Sequence, residues 1–561
     1  MRTFLKILLL ACLLLCMHET ISAQVGGFKK GARFSGKMNL GGELYGVDGI
    51  ENRRAPWSYY INTSMNFGFS GFDVPINFSY RDRQFAFDYS FNRLSIQPRY
   101  KWARLLLGTS SISFSPYTLQ GRTFQGYGVE LTPGRFYLAA IKGDIVNPFA
   151  IRDSLVVGNS LIPIFDRKMV GAKVGYRSGK NRLELIGLKV EDDQTSFNLP
   201  EDYASFGYQF FTPKENINIG LNFGFQLGRH FDFYANTAAS GFTGDVDDPL
   251  TTQITNEIPQ QINDIITINT SSRYALAGDA GFNFYHSGLR LGLKYKRVEP
   301  FYTTMATDYF INDVQQYTFM FSNSFFGRKA RLDANVGIEN NNLGGYRLST
   351  TDRFIGNASL NIMPTDDFYT VLKYSNYQTE AVNEIINLND TLRYVSVTNQ
   401  YGIVTGVNFG DKRLKYGITG NVFFQRIQDQ SEIERLGDLN ALNVTVVGRI
   451  EMEDYKLRIS PNVFYNKYTS DTRDQERYGI GARVTKRLMD DRLNVDGSIR
   501  FSYNDIDKRN DGSVAYLSSR ATYKATEKSS FSLMASFRST SSITRNTFDE
   551  TRLQLRYGIS F

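Results

Sequence analysis

Few side chains of this sequence have the chemistry of acid–base catalysts or of transition-metal ligands. The 561 residues include three histidines and two cysteines. Cys12, Cys16 and His18 all lie near the N-terminus, which leaves His230 and His286 as the only histidines further along the chain. A general base must lie within hydrogen-bond reach of its nucleophile, and neither histidine accompanies a serine/aspartate arrangement. We therefore predict no catalytic residue, no metal and no cofactor.

Paired carboxylates occur at three places, but their spacing differs from that of a calcium-binding loop. The segments are GVDGIEN (46–52), KVEDDQ (189–194) and GDVDDP (244–249). A calcium loop takes its oxygen ligands from regularly spaced positions and ends on a bidentate glutamate, which none of the three provides. We interpret these carboxylates as solvated loop residues.

The most distinctive pattern is a series of cations near the C-terminus. On strand after strand they occupy the positions that alternate with aliphatic residues: Lys415, Arg449, Arg458, Arg483, Arg500, Arg520, Arg538, Arg552 and Arg556. Such a series can line an aqueous path that favours anions, or it can pack a wall by stacking on tyrosines and pairing with carboxylates. Asp496 is the only acid that we assign to the same face.

Strands must position these cations, because polar and apolar residues alternate from Arg33 onward. In Leu493–Tyr503 the odd-numbered positions are apolar or glycine and the even-numbered ones are polar. Segments of about ten residues with this period, separated by turns, are typical of a transmembrane β-barrel. The mean hydropathy of −0.32 excludes a bundle of membrane helices. An arginine facing lipid near the midplane would cost about 2–4 kcal/mol, so we assign the series to the lumen.

The connections alternate between short turns and long polar loops. Short turns include TPGR (132–135), PTDD (364–367) and MDDR (489–492), and long loops include 300–314, 505–511 and 541–550. Bacterial barrels have short periplasmic turns and longer external loops. We predict an all-β fold, a single antiparallel barrel over residues 24–561 with about 26 strands (22 to 28), and both termini on the periplasmic side.

Residues 1–23 have the composition of a cleaved secretory signal. Basic residues precede the apolar run Ile7–Met17, which is too short to span a bilayer. Small residues before the junction predict cleavage between Ala23 and Gln24. A lipoprotein signal would use Cys12, but the apolar run continues past that residue. Cleavage after Ala23 would remove both cysteines and leave a chain without thiols.

The sequence resembles outer-membrane β-barrel proteins of Gram-negative bacteria. The resemblance rests on the leader, the alternating loops and the last strand, RLQLRYGISF, which ends on Phe561. It implies that Tyr557, Ile559 and Phe561 form a signal for the barrel-assembly machinery, and that outer-membrane lipid and lipopolysaccharide surround the barrel. Phe114–Phe136 and Thr212–Asn216 are similar to a group of large Bacteroidota barrels without an assigned activity.

These features favour a passive, porin-like channel. The lumen arginines would set its selectivity, and the acidic loop segments 191–202, 243–265, 379–390 and 428–438 would narrow it. The first strand begins near Phe34, which leaves no room for the plug domain of a TonB-dependent receptor. The alternative is a non-conducting scaffold that holds a partner protein of an outer-membrane secretion or assembly complex. The basic residues form no single patch, which argues against nucleic-acid binding.

Overall fold

A computed structural model describes most of the chain after residue 31. The described residues are 32–82, 93–145, 165–196, 212–249, 265–307, 310–346, 350, 352–381, 394–429 and 437–561. The leader and the junction between Ala23 and Gln24 lie outside them. In the described part, no helix is both long enough and apolar enough to cross a membrane.

The described strands form one antiparallel sheet. They are β1 (Ala32–Asp48), β2 (Trp57–Phe69), β3 (Phe72–Arg81), β4 (Arg93–Ile96), β5 (Arg99–Tyr100), β6 (Ala103–Ser111), β7 (Thr123–Leu131), β8 (Phe136–Ile145), β9 (Arg167–Ser178), β10 (Asn181–Asp192), β11 (Glu215–Leu227), β12 (Phe231–Thr243), β13 (Ser272–His286), β14 (Leu289–Val298), β15 (Val314–Phe325), β16 (Ala330–Asn341), β17 (Asp352–Ile362), β18 (Phe368–Ala381), β19 (Tyr394–Gly410), β20 (Leu414–Asp429), β21 (Leu439–Met452), β22 (Leu457–Ser470), β23 (Asp474–Leu488), β24 (Leu493–Ile506), β25 (Arg509–Lys524), β26 (Ser529–Ser542) and β27 (Phe548–Ser560). A short 3₁₀ turn, Gln194–Ser196, follows β10.

The sheet closes on itself as a barrel with 26 strand positions. β4 and β5 both lie between β3 and β6, so together they occupy one position. β27 pairs with β1 from Lys37 opposite Ser560 to Asp48 opposite Asp549. This pairing leaves neither β1 nor β27 as a free edge, which a bilayer requires of a spanning sheet. The prediction of a closed all-β barrel with about 26 strands is confirmed.

The two faces of the sheet differ in polarity. In β6, Leu105 and Leu107 are 45% and 39% exposed, whereas Leu106 between them is fully buried. Exposed leucines continue on neighbouring strands, for example at Leu183 and Leu185 of β10. An apolar band of this kind suits contact with hydrocarbon. We therefore identify this face as the outer one and the face that carries Leu106 as the inner one.

Connections are short at one end of the barrel, as predicted, whereas those at the other end vary in length, and the last three there have only two to five residues. At the end where β1 begins and β27 ends, the described connections have two to five residues, and they include the predicted turns 132–135, 364–367 and 489–492. The predicted loop 505–511 is instead a two-residue turn. Asp507 and Lys508 both have positive φ, 50° and 64°, which is the conformation of a type I′ hairpin turn matched to strand twist.

Buried apolar residues concentrate inside the barrel, between its inner wall and two connections that fold into the lumen. Loop A (112–122) joins β6 to β7, and loop B (299–313) joins β14 to β15. Most of loop B lies within the polar loop 300–314 of the sequence analysis, which was expected to be external. Its buried residues pack with those of loop A and of the inner wall. We refer to loops A and B together as the lumen plug.

Candidate functional site

Loop A covers the inner face of β6 to β10. Phe114 and Leu119 pack in a cluster with the inward residues Leu106, Phe124 and Ile141, and each of the five is at most 3% exposed. These side chains occupy the alternate positions of their strands that face the lumen. An aqueous lumen would favour polar residues at such positions. The apolar residues therefore mark the part of the wall that loop A shields from water.

A buried ion pair anchors loop A to the wall. The carbonyl oxygen of Phe114 accepts hydrogen bonds from Lys173 Nζ at 2.8 Å and from Asn222 Nδ2 at 3.1 Å. Lys173 also pairs with Glu184 at 2.8 Å, and their side chains are 5% and 2% exposed. Arg177 contacts the other oxygen of Glu184 at 2.5 Å. Because both charges are paired and hydrogen-bonded, they can be buried beneath the loop.

Loop B is held by amide and hydroxyl groups of the wall. The carbonyl oxygen of Thr303 accepts hydrogen bonds from Asn216, Asn218 and Ser240, at 3.3, 3.3 and 2.6 Å. The backbone amide of Met305 donates to Asn216 Oδ1 at 3.2 Å. The side-chain donors of Asn216, Asn218 and Ser240 are thus paired with loop backbone, as buried polar groups normally are.

The two loops are also bonded to each other. Tyr302 donates from its hydroxyl to the carbonyl oxygen of Tyr117 at 2.5 Å, and Thr304 donates to that of Thr118 at 2.6 Å. Burial raises the pKa of both tyrosines well above the ordinary value, so their hydroxyls remain protonated at physiological pH. The lumen plug is therefore one packed unit with contacts to several strands.

The acidic segments that were expected to narrow the pore lie largely outside the described part of the chain. Residues 197–211, 250–264, 382–393 and 430–436 fall outside the described residues. Their contribution to closure stays a prediction. The narrowing that the structure describes comes from loops A and B, whose anchoring groups are carbonyl oxygens and hydroxyls instead of carboxylates.

The strand register places all nine predicted cations on the inner face. One row of directly paired residues runs from β25 to β20 and contains Arg520, Asp496, Thr485, Arg458, Glu451 and Lys415. Each remaining member lies an even number of residues from an inward-facing residue of its own strand, or pairs directly with an inward-facing residue of an adjacent strand. These members are Arg449, Arg483, Arg500, Arg538, Arg552 and Arg556. We refer to this part of the wall, β20 to β27, as the arginine wall.

Three of these cations have a carboxylate partner among the described residues. Arg458 pairs with Glu451 at 2.8 Å, Arg483 with Asp496 at 2.6 Å and Arg552 with Glu43 at 3.0 Å. The expectation that Asp496 is the only acid on the inner face of these strands was therefore wrong. Glu451 and Glu550 share that face. Adjacent valines in β21 interrupt the alternation of polar and apolar residues, so the sequence did not show which way Glu451 points. Glu550 lay in the segment 541–550, which was predicted as a loop.

Other members of the arginine wall contact neutral groups. Arg449 donates to Asn408 Oδ1 at 2.8 Å, and Arg520 contacts the sulfur of Met534 at 3.4 Å. Arg500 and Arg538 lie over aromatic rings, 5.2 Å from the Phe464 centroid and 5.5 Å from that of Phe548. The positive charge of these side chains is thus not cancelled by the contacts that orient them.

The structure adds Arg477 and Arg487 of β23 to the predicted series, with Arg487 opposite the inward Asn494. Arg477 of β23 lies on the inner face opposite Asn504, and its Nε donates to Ser502 Oγ at 3.0 Å. It directly follows the polar run 469–476, which has the composition of a loop, and for this reason its direction was not assigned. Extending the alternation of β23 by one residue pair would have identified it.

The two halves of the lumen differ in exposure. Arg458 and Arg483 of the arginine wall are 52% and 59% exposed although they point inward. Beneath the plug, by contrast, Lys173 is buried. An inward side chain can be exposed only if space lies in front of it. The plug thus covers one side of the barrel, while in the part of the chain that the structure describes nothing covers the exposed guanidinium groups of Arg458 and Arg483.

The predicted assembly residues lie at the end of the barrel where β27 finishes. Tyr557 packs against Phe531 with ring centroids 4.7 Å apart, and Phe561 stacks on Phe34 at the same distance. Ile559 lies opposite Met38 of β1. These contacts join the last strand to both of its neighbours. The function of Tyr557, Ile559 and Phe561 as an assembly signal stays a prediction.

The two histidines lie at that same end, His230 in the turn before β12 and His286 at the last position of β13. Their ring centroids are 5.6 Å apart, and His230 Nδ1 lies 2.7 Å from the carbonyl oxygen of Tyr285. Within the described ranges, no group of three or more His, Cys, Asp or Glu side chains is arranged to hold a metal ion. The aromatic surroundings, with Phe284 beside both rings, are those of an interfacial girdle.

Comparisons with known proteins find similarity only among solved structures. No protein-family model and no curated protein matches the chain. The translocation pore of the P pilus usher PapC matches with a TM-score of 0.36 and 10% identity over 94% of this chain and 99% of that one. The FrpB iron transporter of Neisseria meningitidis (F5-1 variant) matches with a TM-score of 0.40 and 10% identity, over 94% and 83%. Acinetobacter baumannii OccAB4 matches with a TM-score of 0.29 and 8% identity, over 62% and 92%.

Proposed function

We propose that the chain forms a passive outer-membrane channel for small solutes and favours anions. The observation that carries the proposal is the exposure of inward-pointing guanidinium groups, such as those of Arg458 and Arg483, on the side of the lumen opposite the plug. Solutes would pass along the arginine wall. The proposal includes no catalytic step.

The charge of the arginine wall supports anion preference. Three of its cations pair with carboxylates, whereas Arg449, Arg500, Arg520, Arg538 and Arg556 contact neutral groups. Excess charge of one sign along a narrow, low-dielectric passage raises the local concentration of counter-ions. The plug strengthens this effect, because it confines passage to the charged side.

The outer-membrane location follows from the exposed apolar outer face and the closed sheet. The short turns and both chain ends would then lie on the periplasmic side, and lipid and lipopolysaccharide would surround the barrel. The assembly machinery would insert the barrel by recognising Tyr557, Ile559 and Phe561. Membership of the Bacteroidota group suggested by residues 114–136 remains a prediction.

Recordings from purified protein in planar bilayers test the proposal. In a KCl gradient we expect a zero-current potential of the sign given by chloride preference. The triple variant R500Q/R520Q/R538Q should move it towards zero. Arg297→Gln removes a cation from the outer face of β14 and is the matched control, which should leave the potential unchanged. Cation preference of the parent protein, or absence of conductance, would refute the proposal.

A non-conducting scaffold is the second candidate, and the plug favours it. Loops A and B fill space beside β6 to β14 with packed side chains, as expected of a barrel that is not a wide pore. A scaffold would show no unitary conductance and would co-purify with an outer-membrane partner protein in stoichiometric amount. Conductance that persists in the purified single chain would exclude this alternative.

A further inference from the structure

We propose that a pocket of the inner wall, at the seam between β27 and β1, binds small hydroxylated solutes that carry a carboxylate or phosphate group. The inference rests on the proposed channel and names the class of solute that it would favour. The pocket has a volume of about 420 Å³, and its walls include Asn39, Tyr60, Arg520, Met534, Gln554 and Arg556. This volume lies within the range of small-molecule sites, about 300–1,000 Å³.

Within the described residues, the hydrogen-bond partners of two guanidinium groups of the pocket are neutral, and Asp496, which lies opposite Arg520 in the register, bonds to Arg483 and Thr485 instead. Arg556 donates to Asn39 Oδ1 from Nη2 at 2.5 Å and from Nε at 3.2 Å. Arg520 contacts the thioether of Met534, a weak acceptor. Both side chains are exposed to the lumen. Their charges are therefore available to an entering anion.

The one carboxylate that lines the pocket does not cancel these charges. Glu43 accepts hydrogen bonds from Arg552 Nε and Nη2, each at 3.1 Å, and from Gln554 Nε2 at 2.7 Å. In addition, Arg54 Nη1 lies 3.6 Å from Glu43 Oε1. With two arginines already beside Glu43, the charges of Arg520 and Arg556 are in excess.

The register brings the guanidinium groups of Arg520 and Arg556 to the same cavity. Arg520 pairs with Met534, which pairs with Gln554, whereas Arg556 pairs with Ser532, which pairs with Thr522. Arg520 and Arg556 are thus two strands and two residues apart. Their Cα atoms are separated by about 10 Å across the strands and about 7 Å along them. Two extended arginine side chains that converge across this distance can contact a single oxyanion between them.

A second part of the pocket suits the remainder of a small solute. The ring of Tyr60 lies against Gly41, where an added Cβ would come within 2.3 Å of it. Arg81 lies over the same ring, 5.9 Å from its centroid, so Tyr60, which lines the pocket, can offer its hydroxyl and ring edge to a solute. The amides of Asn39 and Gln554 and the hydroxyl of Ser532 can hydrogen-bond to solute hydroxyls. An oxyanion end and a hydroxylated end together describe a sugar acid or a sugar phosphate.

Calorimetric titration of the detergent-purified protein tests the subsite independently of conductance. The probes are D-glucuronate, inorganic phosphate and, as neutral control, D-glucose. We expect saturable binding of glucuronate, weaker binding of phosphate, which lacks the hydroxylated end, and none of glucose. The variant R520Q/R556Q should bind glucuronate at least about tenfold more weakly, about 1.4 kcal/mol. The variant R500Q/K415Q removes the same charge from the same wall outside the pocket and should bind within about twofold of the parent.

The two proposals can fail separately. Glucuronate binding without conductance would support the subsite and refute the channel. Conductance without saturable binding would support the channel and refute the subsite. Equal affinity in R520Q/R556Q and the parent, or equal affinity for glucose and glucuronate, would also refute the subsite. Retention of the heat-dependent mobility shift on denaturing gels shows that each variant has folded as a barrel.

Discussion

Arg552 of the last strand donates two hydrogen bonds, each 3.1 Å long, to the carboxylate of Glu43 in the first strand. The pair is mostly buried, with side chains 29% and 12% exposed, and 509 residues of sequence separate its members. It links the two strands whose pairing closes the sheet.

We predict that Glu43→Gln weakens the closed barrel. Hydrogen bonds to a charged group contribute about 1.5–3 kcal/mol, so a loss of about 1–2 kcal/mol in the free energy of unfolding is expected for this partly exposed pair. Urea titration in lipid vesicles, followed by circular dichroism, measures it. Asp333→Asn is the control, because the Arg331–Asp333 pair is within one strand and 57% and 40% exposed, and it should cost less than about 1 kcal/mol. Equal effects would contradict a special contribution of the seam.

Loosening the lumen plug should widen the passage. Lys173→Met removes one donor to the Phe114 carbonyl oxygen and leaves Glu184 buried with one fewer partner. Breaking a buried pair costs about 3–5 kcal/mol, and the strain falls on the loop because the wall strands keep their backbone pairing. We expect a larger unitary conductance. Lys189→Met, on the outer face of β10, should leave the unitary conductance unchanged. An unchanged conductance in Lys173→Met would show that loop A does not limit conduction.

The plug should also respond to alkaline pH. Burial raises the pKa of Tyr117 and Tyr302, so the folded plug binds these protons more tightly than the unfolded chain, in which tyrosine titrates near pH 10. Their contribution to stability is then complete below about pH 10 and decreases as the pH rises above it. Absorbance of tyrosinate at alkaline pH should show a late-titrating fraction that decreases in Tyr117→Phe, which keeps the backbone acceptor of Tyr302. A curve superimposable on that of the parent would contradict the burial argument.

A row of glycines should be intolerant of side chains. Gly108, Gly126 and Gly143 are directly paired across β6, β7 and β8. A Cβ on Gly126 would lie 2.2 Å from the carbonyl oxygen of Lys142 and 2.5 Å from the Cα of Gly143. Because both are backbone atoms, Gly126→Ala must displace a strand. We expect lower barrel yield and a lower unfolding midpoint.

Gly187 provides the control for this substitution. A Cβ there would meet nothing within 4 Å, and Gly187→Ala should leave both yield and midpoint near those of the parent. Comparable losses in the two variants would show that glycine itself, and not the close approach of the strands, determines the effect.

The fold followed from the sequence because a barrel is encoded locally. Alternation within each segment and the turn chemistry between segments suffice for strand number and direction, and closure then follows from the lack of tolerated edges. The two-residue turn at Asp507 and Lys508 was missed because a polar run gives the same signal for a loop and for a type I′ turn. Its conformation depends on the strands that it joins.

The lumen was harder to anticipate, since its structure comes from contacts between distant segments. Period-2 patterning gives the side of the sheet for Arg483 or Arg552, but not whether the space before it is filled. The lumen plug depends on backbone acceptors, such as the carbonyl oxygens of Phe114 and Thr303, that no residue type signals. Inward apolar residues such as Leu106 and Phe124 were the available clue, because a polar lumen gives no reason for them.

The seam between β1 and β27 has a consequence for how the chain acquires its shape. The ring of hydrogen bonds is cyclic, with Gly36 and Phe561 exchanging both backbone bonds at 3.0 Å. Each of the described strands therefore has a partner on both sides. The entropy of joining ends so far apart in sequence grows only logarithmically with their separation. The pairing of β27 with β1 is therefore mainly a search for the correct register. A slip of one residue would turn Arg552 and Arg556 towards lipid. The free-energy cost of placing arginines in lipid selects the correct closure.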